Sequence, residues 1–165
     1  MSINLSYVQI LKSPLMMELK QIIDHSGISC SGIIVELTES GYLEGTPAVR
    51  SVWNDMKKLR IQIALDDFGT GYSNLMNISN LEPDIVKLDR GFTLKALSRS
   101  YEYQLMQYVI EMVHKLNQYV CVEGVETKED LEKIKALGPD LIQGYYYSKP
   151  CSRDEFLKKF FGYSE

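Results

Sequence analysis

The sequence predicts an α/β fold in which parallel strands curl into an incomplete (β/α) barrel, about six βα units of eight. Three observations carry that expectation. Apolar runs of strand length alternate with amphipathic helical stretches along the whole chain, the order that builds a parallel sheet with helices outside it. One polar residue stands at the C-terminal end of each strand (Asn4, Glu36, Asp66, Lys87, Glu123 and Gln143), at intervals of 32, 30, 21, 36 and 20 residues. Eight units at that spacing need roughly 220 residues, and such barrels typically take about 250; this chain has 165. The third observation is side-chain parity. Ile3, Leu5, Val35, Leu37, Leu65, Val86, Leu88, Val122 and Ile142 flank the polar residues and share the opposite face, the one expected to meet the helices. Ser2, Ile34, Gln62, Ala64, Ile85, Cys121 and Leu141 share the polar residues' face. An open doubly wound sheet would be apolar on both faces. A face that turns polar only at the C-terminal strand ends suits a barrel of the TIM type with its site at that end.

The elements follow from local signals. INLS (3–6) ends the first strand. Ser13 is an N-cap with Pro14 at the first helical position, and that helix runs to Gly27. GIIVEL (32–37) is a strand. A helix from Pro47 to about Leu59 puts Val49, Val52, Trp53, Met56 and Leu59 on one face. IQIALD (61–66) is a strand, followed by the turn-rich DFGTGYSN and a short helix at 73–80. DIVKLD (84–89) is a strand. Residues 99–117 carry Tyr101, Leu105, Tyr108, Met112, Val113 and Leu116 at helical spacing. YVCVE (119–123) is a strand. Thr127 and Asp130 form a capping-box-like pair, opening a helix with Leu131, Ile134 and Leu137 inside and Gly138 at its end. LIQG (141–144) is a strand. Ser152 and Glu155 open the last helix, through about Phe161.

Composition narrows the function. The chain is 45% hydrophobic and 24% charged, as one globular domain should be. It has no run of 18 apolar residues and no basic-then-apolar leader, so a cytoplasmic protein without membrane contact from this segment is expected. Three cysteines, far apart, argue against a disulfide framework or a thiolate zinc site. Two histidines exclude a site built from several imidazoles; His25 at a helix end and His114 within a helix read as structural or solvated. A net charge of −4 without a basic stripe argues against a nucleic-acid polymer as partner.

The strand ends carry the chemistry. Glu36, Asp66 with Asp67, Lys87 with Asp89, Glu123, and the amides Asn4 and Gln143 would converge on one mouth. Oxygen donors without imidazole or thiolate suit a hard divalent cation, magnesium or manganese. Asp66 and Asp67 could serve two ions, an arrangement that stabilises attacking and leaving oxygens in phosphoryl chemistry. The plainer alternative is solvated carboxylates and ion pairs. Lys87 is either a counter-charge to its neighbours, or a positioned charge or base of lowered pKa beside a reacting water. A Schiff-base role for Lys87 fits poorly with so many carboxylates. In DFGTGYSN, the glycines with Thr70 and Ser73 could bring backbone N–H groups to an anion, or simply form a turn. Tyr145, Tyr146 and Tyr147 could stack on a base, but packing is the favoured reading.

ELTES (36–40), DDFGTGYSNL (66–75), VKLDR (86–90), VEGVET (122–127) and QGYYYSKP (143–150) stand in the order and approximate spacing of the EAL-type cyclic-di-GMP phosphodiesterase domain. INLS (3–6) resembles that family's Asn-Leu-Ser motif. The resemblance covers essentially all of residues 1–165 as a single domain. It implies a modified TIM barrel and a hydrolase that opens cyclic-di-GMP to linear pGpG with magnesium or manganese. By the same resemblance, Asn4, Glu36 and Asp66 would hold one metal, and Asp66 would bridge to a second held by Asp67 and Glu123. Lys87 would hold or deprotonate the attacking water, with Glu123 and Asp67 in the catalytic group. Gln143 would complete the polar mouth, Glu39 would brace the DFGTG loop, and Asp89 and Glu126 would support the site or ligand. The loop and the short helix after it resemble the family's dimer contact.

The family carries its Glu-Ala-Leu signature on the first strand, with a metal-holding Glu and a substrate-binding Arg. No Glu-x-Leu-x-Arg motif precedes Asn4 here. The expectation is therefore the C-terminal part of an EAL domain, truncated, with an incomplete two-metal site and impaired or absent activity as this chain alone. Upstream domains could anchor the full-length protein to a membrane. Barrel edges left open would favour a homodimer or higher association. The alternative is a non-catalytic module that binds cyclic-di-GMP or a partner protein.

Overall fold

The computed structural model describes residues 1–11, 14–38, 46–70 and 82–162. Among them six strands form one sheet: β1 (Ser2–Asn4), β2 (Ile34–Thr38), β3 (Gln62–Phe68), β4 (Ile85–Leu88), β5 (Tyr119–Glu123) and β6 (Leu141–Gln143). They lie side by side in chain order, and every neighbouring pair is parallel. This is the six-stranded, incomplete barrel that the unit spacing predicts. The helices are α1 (Tyr7–Leu11), α2 (Leu15–Ser26), α3 (Pro47–Lys58), α4 (Arg90–Ser98), α5 (Ser100–Lys115), α6 (Lys128–Lys135) and α7 (Arg153–Phe161).

Parity divides the sheet as expected. Val35, Leu37, Ile63, Leu65, Val86, Leu88, Val120 and Val122 are all buried in one cluster with Trp53, Met56, Met106, Ile110, Val113, Leu131 and Ile134 from the helices. Each fully buried aliphatic side chain of this kind contributes about 1.5–3 kcal/mol. The other face has a second, small cluster of Ala64, Ile85 and Cys121, with Ile34 against it. The two clusters lie on opposite sides of the same strands, as alternate residues must.

Several boundaries differ from the sequence reading, for local reasons. β1 is Ser2–Asn4 rather than 3–6, although Leu5 N still donates to Glu36 O. Pro14 stands at the N-cap and α2 begins at Leu15; Ser13 lies outside the described residues, as does the proposed helix at 73–80. A 3₁₀ turn at Cys30–Gly32 takes the start of the expected GIIVEL strand. The 99–117 stretch is preceded by a helix the periodicity did not reveal. Asp89 Oδ1 accepts from Gly91 N and Phe92 N and so caps α4, and α5 starts directly after it at Ser100. Both capping boxes form, Thr127 with Asp130 and Ser152 with Glu155. Tyr145, Tyr146 and Tyr147 do not pack into the core; all three are exposed.

The N-terminal end of the sheet holds a repeated clamp. Asp84, just before β4, accepts from Ile63 N of β3 through Oδ2 and receives Lys57 Nζ of α3 on Oδ1. Asp140, just before β6, accepts from Val120 N of β5 and meets His114 Nε2 of α5, both on Oδ2. Each aspartate also donates its own N–H to the carbonyl of the residue it clamps. A helix base, a strand N–H and an aspartate thus tie each unit to the next, twice, in the same way. Burial pushes the Asp140 carboxyl up, but the Val120 N–H and the His114 ring outweigh it and hold the group below the ordinary value.

Candidate active site

The polar residues gather at the opposite end. The register pairs Asn4 with Glu36, Lys87 with Cys121 and Glu123 with Gln143, all on the face turned away from the helices. Lys87, at the centre, is 5% exposed and reaches three strands at once. Its Nζ lies 2.7 Å from Glu36 Oε2, 3.0 Å from Asp66 Oδ1 and 2.7 Å from Glu123 Oε1. Below it, Ala64, Ile85 and Cys121 close the interior.

A bulge places the paired aspartates. Leu65 pairs with Val86 and Phe68 pairs with Leu88, so β3 spends three residues where β4 spends two. Asp66 and Asp67 together therefore oppose Lys87. Asp67 adopts φ 59°, and its N–H donates to Asp66 Oδ1. Strict alternation would send Asp67 into the helix side and Phe68 into the mouth. The extra residue reverses this: Phe68 is buried in the main core. Gly69 follows at φ 104°, where a Cβ would meet Phe92 Cδ1 at 2.9 Å.

Burial shifts the charges. Burial alone would lower Lys87, but hydrogen bonds to Glu123, Glu36 and Asp66 outweigh it and raise its pKa. In this cluster the ammonium form is favoured, the direction opposite to the lowered pKa weighed as one of the readings of Lys87. Burial, then the charges of Asp66 and Asp89, raise Asp67 against the pull of Lys87. Burial raises Glu123 in spite of Lys87. Burial and the neighbouring Glu123 push the Cys121 thiol up to about 12, so it is an inert wall.

The other expected residues spread around this centre. Asn4 and Gln143 are exposed at the two edge strands. Asp89 has one oxygen committed to the α4 cap. Glu126 accepts from Arg90 Nε and Nη2, at 3.2 and 2.7 Å, beside Glu123. Glu39 lies outside the described residues, as do Ser73 and most of the DFGTG loop's continuation. Arg90 was given no role of its own in the sequence reading, although it closes the VKLDR motif. A cavity of about 750 Å³ runs from Glu36 and Lys87 past Gln143, Tyr145 and Lys149 to Phe156.

Among the described residues, no group of three or more His, Cys, Asp or Glu is spaced to hold a metal ion as it stands. The donor chemistry nevertheless fits one: three carboxylate oxygens from three strands converge on a single positive centre, and a fourth carboxylate, Asp67, adjoins them. None of the described helices is long and apolar enough to cross a membrane.

Comparison with known proteins places these features. The family model described as "EAL domain" matches residues 1–150. The Escherichia coli protein "Cyclic di-GMP phosphodiesterase PdeF" is 32% identical over 149 residues, which cover 90% of this chain and 20% of that protein. The chain thus spans about a fifth of the length of the curated relatives it matches. The EAL enzyme Bd1971, solved with cAMP and cyclic-di-GMP bound, superposes with a TM-score of 0.90 at 31% identity, covering 96% of this chain and 42% of that one. Klebsiella pneumoniae BlrP1, solved as a manganese and cyclic-di-GMP complex, gives 0.84 at 26% identity, covering 91% and 38%. BlrP1 has also been solved with calcium and cyclic-di-GMP.

Proposed function

The chain belongs to the EAL domain family of cyclic-di-GMP phosphodiesterases, and on that premise we propose that residues 1–165 form the C-terminal part of such a domain and supply most of a site that hydrolyses cyclic-di-GMP to linear pGpG. The observation that carries the reading is the convergence of Glu36, Asp66 and Glu123 on one buried charge, with Asp67 turned into the same mouth by the bulge. Magnesium or manganese would be held by Asn4, Glu36 and Asp66, and a second ion by Asp66, Asp67 and Glu123. Such ions would supply Lewis acidity and a nucleophile available at neutral pH.

This chain's own groups do the remainder. Lys87, held protonated, keeps a positive charge beside the phosphoryl oxygens and orients water through its N–H groups. The proton released as water adds to phosphorus passes, through the carboxylates of the mouth or solvent, to the leaving sugar oxygen. The water oxygen stays on the phosphate, one ester bond breaks, and the freed sugar oxygen leaves as a hydroxyl. Gln143, Tyr145 and Tyr147 line the cavity where the nucleotide would lie. Glu126, through Arg90, fixes the rim of the same mouth, and Asp89 fixes the start of α4 beneath it.

Among the described residues β1 and β6 end the strand order, and a second copy is expected to pair with them. Light scattering that shows only monomer at high concentration would overturn that association. The function itself is tested by incubating the protein with manganese and cyclic-di-GMP and separating the products. Formation of pGpG, lost in Asp66→Asn, supports the reading. Turnover undiminished in Asp66→Asn removes the metal assignment, and ligand binding without product favours a binding module.

A further inference from the structure

We propose that Arg90 is a positioning residue for the site: from the end of β4 it holds the turn that follows β5, and so keeps the Glu123 carboxylate where a metal ion would meet it. The inference rests on the metal reading above and deepens it. Glu123 is the last residue of β5, and Gly124, Val125 and Glu126 make the turn directly after it. On the β6 side backbone ties that turn down: Val125 N donates to Gln143 O, and Val125 O accepts from Tyr146 N. On the β4 side the register ends with Leu88 opposite Val122, one residue short of Glu123. Arg90 crosses where the ladder has stopped. Its base is fixed, because it is the first residue of α4, the helix that Asp89 caps. Its stem lies on Gly124, at φ 81°, where a Cβ would stand against Arg90 Cγ and 2.8 Å from Arg90 Cβ. Its guanidinium then donates from Nε at 3.2 Å and from Nη2 at 2.7 Å to a single oxygen, Glu126 Oε1. Arg90 therefore grips the first and third residues of the turn whose preceding residue places Oε1 of Glu123 2.7 Å from Lys87 Nζ. The Arg90 and Glu126 side chains are 58% and 38% exposed, so as an ion pair they add little to overall stability. Positioning and stability can thus be told apart.

The test titrates manganese into wild type, Arg90→Ala, Glu126→Ala and the double variant, following free ion by its electron paramagnetic resonance signal. Thermal unfolding is recorded on each without metal. Removing a group that orients a metal-holding side chain commonly costs about 10–100-fold in affinity, and Arg90→Ala is expected to fall in that range. Its melting temperature should stay within about 2 °C of wild type. The double variant should match Arg90→Ala, since the two residues act through one contact. Glu126→Gln, which keeps an accepting oxygen, should recover most of the affinity that Glu126→Ala loses. Wild-type binding with unchanged affinity in Arg90→Ala, single losses that multiply in the double variant, or no recovery in Glu126→Gln overturns this inference and leaves the metal reading standing. A melting temperature that falls in step with affinity makes the role merely structural and also overturns it. No binding by wild type overturns both. Should Arg90→Ala fail to fold, Arg90→Met takes its place, keeping the stem on Gly124 and removing the guanidinium. It should weaken binding as Glu126→Ala does, and unchanged affinity overturns the proposal.

Discussion

Asp67→Asn should make the protein more stable and less active at once. Asp67 sits at φ 59° in the bulge, a conformation that asparagine tolerates at least as well as aspartate. Its carboxyl is raised from the ordinary 3.8 by burial first, then by Asp66 and Asp89, with Lys87 pulling the other way. A carboxyl whose folded-state pKa lies above its unfolded value binds its proton more tightly in the folded protein. Its ionised form therefore works against folding at every pH above the folded value, and that penalty vanishes once the pH falls below 3.8, where both states are protonated. The amide has the same shape and no charge to desolvate. Relief at a strained functional position commonly yields about 0.5–2 kcal/mol. Taking about 1 kcal/mol, the melting temperature should rise by roughly 2–4 °C for a chain of this size.

Urea or thermal unfolding with a chelator present, at pH 7.5 and again near pH 3.5, measures the effect. The gain should be present at the higher pH and close to absent at the lower. A variant less stable than wild type at pH 7.5, or equally stabilised at both, would refute the electrostatic account. Full hydrolytic activity in the variant would refute the functional one, because the carboxylate would then have no part in the chemistry.

Two further substitutions probe the frame around the site. Asp140→Ala removes the acceptor for Val120 N and His114 Nε2, at 2.8 and 2.9 Å. A charged hydrogen bond is worth about 1.5–3 kcal/mol, and partial exposure of this pair brings the expected cost to about 1–2 kcal/mol. Asp140→Asn, which can still accept from Val120, should cost about half as much. The Asp140 pKa is lowered, so its contribution is present above 3.8 and is lost as pH falls through the folded value; unfolding curves of wild type and variant should converge in acid. Gly144→Ala puts a methyl against the backbone of Val125, 2.7 Å from its carbonyl carbon. Backbone cannot yield as a side chain would, so the cost should reach about 3 kcal/mol. The Val125 N to Gln143 O bond should open with it, read as faster amide exchange at Val125.

Most of the frame could be read from the sequence, because a parallel sheet imposes a period of two that burial makes visible. Val35, Leu65, Val86 and Val122 are apolar for the same reason that Glu36, Asp66, Lys87 and Glu123 are not. What escaped was set by geometry that no period records. The bulge at Asp66 and Asp67 breaks alternation, and its one written trace is Phe68 at a position where parity asks for a polar residue. Asp89 reads as the last member of a strand, yet its side chain begins a helix, since a carboxylate serves either role. The Asp84 and Asp140 clamps needed the fold to bring Ile63 and Val120 beside them. The tyrosines at 145–147 look like core residues by composition, but they follow β6, the last strand among the described residues, and stay exposed, with Tyr145 and Tyr147 on the cavity wall.

The two ends of the sheet carry opposite electrostatic logic. At the N-terminal end, Asp84 and Asp140 each accept from a strand N–H and meet a Lys57 or His114 side chain, so each carboxylate is held by two partners. At the C-terminal end, Lys87 answers three carboxylates alone, and Asp67 and Glu123 are pushed up for want of enough positive charge. The deficit supports the divalent-ion reading proposed above, and the strands joining the two ends are held by the helix-side core rather than by the mouth. Substitutions should therefore separate by end: neutralising a carboxylate at the mouth leaves the fold intact or firmer, whereas neutralising a clamp loosens it.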